Sequence, residues 1–142
     1  MEAFTRIATH GLRGYRVHGR RRDARSTNVF DLTMRAIQAS LDGLAARQRL
    51  TAENIANSEV PGYLATRVDF ESSLRSAVES GNISDFSMAT STSGAPAGIN
   101  GNNVNVDEEA LMNIDTGLRF QMMTEAMNAK FHILKASMRR DS

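Results

Sequence analysis

Two stretches of the chain place apolar residues at helical spacing, and a polar stretch separates them. In the first, Phe30, Met34, Ile37, Leu41, Leu44, Gln48, Thr51 and Ile55 follow one another at intervals of 4, 3, 4, 3, 4, 3 and 4. Alternating steps of three and four keep side chains on one side of a helix, and the pattern is that of a heptad seam. Its last third is polar, at Gln48 and Thr51. Asn28 or Asp31 is placed to cap the start. Pro61-Gly62 ends it, because proline lacks the amide donor and glycine supplies a turn. The spacing predicts a helix of about 25 residues, roughly 38 Å long.

The second stretch runs from Asp107 to Arg140. Phe120, Met123, Met127, Phe131, Leu134 and Met138 form one apolar stripe, and Leu111, Ile114 and Leu118 continue its apolar character upstream. Asp107, Glu108 and Glu109 stand at the start, and Lys130, Lys135, Arg139 and Arg140 near the end. Each sign faces the helix pole that favours it. Between the two stretches, Phe70, Leu74 and Val78 predict a short helix over Asp69–Ser80, stopped by Gly81-Asn82. Residues 82–105, rich in Ser, Thr, Gly and Asn, read as a flexible loop with room for a brief hairpin.

The predicted class is mainly α. Two long amphipathic terminal helices form a coiled-coil-like hairpin, joined by a short helix and a flexible loop region. The chain divides into 1–28, 29–63, 64–106 and 107–142. A hairpin of two such helices leaves much of their apolar width wet, which calls for neighbouring subunits. The assembly interface then falls on Phe30, Met34, Ile37, Leu41, Leu44, Ile55, Leu118, Phe120, Met123, Met127, Phe131, Leu134 and Met138.

Charge changes the picture at one end. Residues 1–27 hold seven arginines against Glu2 and Asp23, a net +5, whereas the remainder is −4. The leading segment has no helical or strand period, is broken by Gly11, Gly14 and Gly19, and reads as disordered. It also lacks the uninterrupted apolar region of a cleaved secretory signal. Arg20-Arg21-Arg22 with Arg25 would suit a nucleic acid or an anionic membrane, but the simpler reading is a solvated tail.

Candidate chemistry is sparse. The absence of cysteine removes disulfides, thiol catalysis and cysteine-ligated zinc. His10, His18 and His132 share no helical metal spacing, and no nucleotide-binding or nucleophile-elbow pattern occurs. The alternation from Asn103 to Asp107 fails as a calcium loop, since Glu108 stands where glycine is required and Ile114 where the bidentate glutamate is required. The reading is therefore of a non-enzyme, with no catalytic, cofactor or metal residues, no cofactor and no small-molecule substrate.

The most specific stretch is Ala52-Glu53-Asn54-Ile55-Ala56-Asn57-Ser58-Glu59-Val60-Pro61-Gly62-Tyr63. Asn54 and Asn57 can bond local backbone as a helix unwinds, Pro61-Gly62 forces a turn, and Tyr63 offers a ring and a hydroxyl. The stretch resembles the N-terminal signature of the flagellar rod, hook and hook-associated proteins. Arg67-Val68-Asp69-Phe70 with Leu74, and the run Gly101–Glu109, resemble the proximal-rod (FlgB) branch of that superfamily. Val60 departs from the threonine usual before this proline. The resemblance covers about residues 29–139.

That resemblance implies a structural subunit of the bacterial flagellar basal body, exported by the type III apparatus without a cleaved signal. It implies self-assembly through the terminal helices, as homo- and hetero-oligomer, with other rod subunits and the membrane ring protein as partners and with torque transmitted for motility. No nucleic acid is expected. Marginal helices that order only against neighbours would couple folding to assembly. Residues 1–28 read as lying outside the working protein. The resemblance begins at Val29-Phe30-Asp31-Leu32 where family chains begin Met-Phe-Asp, and valine is what an unused GTG start codon encodes. The competing readings are a paralogous rod or hook-associated subunit and a small basic-tailed adaptor that binds nucleic acid or membrane. Deleting residues 1–27 separates them, because only the adaptor loses its partner.

Overall fold

The structure is a computed structural model and describes residues 24–140. Its elements are α1 (Ala24–Ala56), β1 (Thr66–Asp69), α2 (Glu71–Glu79), a 3-10 turn (Ile83–Asp85), β2 (Ala89–Thr92) and α3 (Val106–Arg140). The protein is mainly helical, with the two long helices packed on each other. No described helix is long and apolar enough to cross a membrane.

The helices run antiparallel. The start of α3 lies at the end of α1, where Asn102 donates to Asn57 and Val60. Eleven residues into α3, Gly117 lies beside Gln48, eight residues before the end of α1. The seam positions Ile37, Leu44 and Thr51 are buried, and Phe30, Met34, Leu41, Gln48 and Ile55 half-buried.

Three expectations need correction. The helical backbone of α1 starts at Ala24 rather than near Phe30, so the last five residues of the segment 1–28 are ordered. No glycine or proline separates them from the seam, and nothing stops the helix there. Expectations for residues 1–23, including His10, His18 and the arginine triplet, fall outside the described residues. Second, the region 82–105 is not a featureless loop. β2 pairs antiparallel with β1, Thr66 opposite Thr92 and Asp69 opposite Ala89. Four-residue strands 20 or more residues apart leave no local hairpin signal.

Third, α3 does not carry one stripe. Phe120, Met123 and Met127 are half-buried on the side that also buries Glu109 and Thr116. Leu111, Ile114, Leu118 and Met122 lie on the opposite side and are exposed. Phe131, Leu134 and Met138 share the inner side but are exposed too, beyond the part of α3 that packs.

The small core sits where β1 and α2 cross α1, around Ile37, Ala39, Leu44, Ala65, Val68, Phe70 and Ala77. Gly43 makes this crossing possible. A Cβ built there would lie 2.6 Å from the Phe70 ring. Arg47, one turn on, stacks over the same ring at 4.9 Å and grips Glu71 through two contacts of 2.7 Å. Burial alone would raise the Glu71 carboxyl, but the hydrogen bond and charge of Arg47 outweigh it and hold the group below its usual range.

Gly43→Ala is therefore expected to destabilise the fold by about 1–3 kcal/mol, because the ring must move. Gly117→Ala serves as its control. Its Cβ would meet nothing nearer than Gln48 at 3.8 Å, so the gain in helix propensity, up to about 1 kcal/mol, goes unopposed. Urea denaturation of both variants checks the opposite signs, and two shifts of the same sign would refute the account.

Candidate functional site: an asparagine-built junction

The signature at the end of α1 and the asparagine-rich run before α3 meet in space. Past Ala56 the chain unwinds in tight turns, with the amides of Ser58, Val60 and Tyr63 each bonding the carbonyl three residues back. Asn57 supports this locally by donating to the Glu53 carbonyl at 2.8 Å. Asn54 does something different from the local role expected of it. Its side chain accepts from the Thr66 amide and donates to the Thr66 carbonyl, both at 2.9 Å. A primary amide has the same donor and acceptor pair as a peptide group. Asn54 thus pairs the outer edge of β1 as a neighbouring strand would, from within a helix. It is 1% exposed, and the Tyr63 hydroxyl adds a third bond to its Oδ1 at 3.1 Å. Burial, then the charges of Glu53 and Glu109, push the Tyr63 phenol up, which keeps it a donor.

The second half comes from residues 100–105. Asn102 donates to the Asn57 and Val60 carbonyls at 2.9 and 2.8 Å and accepts from the Val104 amide at 2.7 Å. Asn103 accepts from the Ala65 amide at 2.7 Å and donates to Ser93 and Ala95. Both asparagines are buried. Pro61 and Gly62 are exposed, and the Gly62 amide donates to Asn100. Gly62 and Gly101 both have φ near +75°, where a Cβ is strained. They also face each other, since a Cβ on Gly101 would lie 3.3 Å from the Gly62 Cα. Asn105 then caps α3 by accepting from the Asp107 and Glu108 amides.

One charged link completes the junction. Glu109, in the first turn of α3, is fully buried. Arg67 of β1 places Nη1 2.7 Å from its Oε1 and also reaches Met112 Sδ at 3.3 Å. The approach to Oε1 is off the hydrogen-bond axis, so both carboxylate oxygens receive charge but no directed bond. Sequence reasoning missed Arg67, Glu109, Asn102 and Asn103 as partners of the turn. The one signal was that the two asparagine-rich motifs occur in the same chain.

Among the described residues no three His, Asp or Glu converge as a metal site. The arrangement orients backbone rather than reagents. It fixes the angle at which α1, the ribbon and α3 leave one point.

No family model matches the chain. It is similar to several curated proteins, each named flagellar basal body rod protein FlgB. The one from Escherichia coli K12 is 31% identical over 122 residues, 71% of this chain and 88% of the relative. The one from Bacillus subtilis 168 is 31% identical over 121 residues, 76% of this chain and 94% of the relative. The one from Borreliella burgdorferi is 24% identical over 131 residues, 77% and 95%.

Proposed function

We infer from one premise, that this chain belongs to the FlgB family of flagellar basal body rod proteins, that it is a non-enzymatic subunit of the proximal rod and assembles through its terminal helices. The observation that carries this is the end-to-end match. The alignment takes in most of each relative's length, both terminal helices included, so the relatives' rod role extends to the whole architecture. The partners are other rod subunits and the membrane ring protein, reached through the type III export apparatus.

The burial pattern supports the assembly part. Large apolar side chains stay exposed on α3, from Leu111 to Met138. In an isolated protein these would be a liability, whereas in a rod neighbours cover them. The junction supports the mechanical part. Torque passed along the rod has to cross each subunit between its two long helices. A cluster of short, directed bonds carries such a load with less slip than loose apolar packing.

Deleting the gene from its host should abolish swimming and leave basal bodies without rods in electron micrographs. Complementation with the wild-type chain should restore both. Leu41→Asp or Met127→Asp should not, since each puts an unpaired carboxylate into a helix seam at several kcal/mol. Normal rods in the deletion strain would overturn the reading.

A further inference from the structure

We propose that the outer face of α3 seats in an apolar groove beside α2 of another copy of this chain, and that repetition of this contact builds an open helical array. The inference rests on the rod reading and adds which surfaces meet.

The groove lies between α2 and α3 over α1, with a volume of about 470 Å³. Leu44, Phe70, Leu74, Val78 and Met123 form its apolar lining. The segment from Phe70 to Val78 is about 12 Å long at helical rise. The outer face of α3 offers Leu111, Ile114 and Leu118, exposed by 68, 62 and 57%. Their steps of three and four make a ridge of about 10 Å, which matches the groove in length.

Charge selects the same pairing. From Val106 to Leu118, α3 holds four acids and no base. Glu108, Glu109 and Asp115 are near Arg67 or Arg119, while Asp107 has no ion pair among the described residues. At the groove mouth, Arg75 likewise has none among the described residues. The ridge cannot enter the groove of its own chain. Met123, which walls the groove, stands on the same rigid helix, and the ridge faces away from α1. Ridge and groove are therefore two different patches on one molecule. A contact of this kind is head-to-tail, and it propagates unless a rotation happens to close it.

The chain has no cysteine, so introduced ones report cleanly. Leu74→Cys and Ile114→Cys, combined in one chain, should cross-link under oxidation in isolated basal bodies to a ladder of dimers, trimers and higher species. Each single variant should give none. Val78→Cys with Leu118→Cys is a second pair should the first fail to support swimming. A ladder supports the contact. Rods that contain the chain but give no ladder from either pair overturn the interface and leave the rod reading standing. So do a product that stops at dimer and a cross-link to a different protein. Absence of the chain from rods overturns both.

Discussion

Asn54→Ala is expected to destabilise the protein by about 3–5 kcal/mol, a large share of the roughly 5–15 kcal/mol that holds a domain folded. The deleted amide leaves three groups without partners: the Thr66 amide, the Thr66 carbonyl and the Tyr63 hydroxyl. Each buried polar group left unmade costs about 1–3 kcal/mol, reduced where water can enter. The melting temperature should fall by about 10–20 °C. Asn54→Asp should be intermediate, because it keeps the acceptor for Thr66 and Tyr63 and loses only the donor. A loss below about 1 kcal/mol for the alanine variant would show that the strand-like pairing of Asn54 is incidental.

Arg67→Ala should be of similar size for an electrostatic reason. Glu109 is fully enclosed, and Arg67 is its counter-charge at 2.7 Å. Removing one partner of a buried pair costs about 3–5 kcal/mol, since a charge remains with nothing to balance it. Replacing both, Arg67→Met with Glu109→Leu, should recover most of the loss. That recovery separates charge from packing. Arg119→Ala, which breaks an exposed pair with Asp115, should be nearly neutral. Equal effects of Arg67→Ala and Arg119→Ala in urea denaturation would refute the claim that the buried pair matters.

The long elements could be read from the chain because their signals are local. The seam from Phe30 to Ile55 and the Pro61-Gly62 stop sit within α1 and just beyond it, and the acids at 107–109 mark the first turn of α3. What could not be read is long-range. Asn54 bonds a residue twelve positions on, and Asn102 reaches back 42 and 45. No periodicity encodes such a bond, because one amide serves equally well at a cap, a turn or a strand edge. The two faces of α3 failed to separate on paper because both use steps of three and four. Only the position of α1 decides which is covered.

The junction also dictates an order of events during synthesis. The ribosome releases α1 first, yet Asn57 and Val60 receive Asn102 only after residues up to 102 have been made, when about seven-tenths of the chain is already out. Until then the seam of α1 has no α3 to cover it, and Ala65 lacks its Asn103 partner. Closing this gap is a search over some 45 residues, and loop entropy penalises length only slowly, about 0.6 kcal/mol for each doubling. The delay therefore comes from the position of Asn102 in the chain more than from loop length. The nascent chain carries an uncovered apolar helix for most of its synthesis, which makes that interval the natural window for a chaperone to hold it.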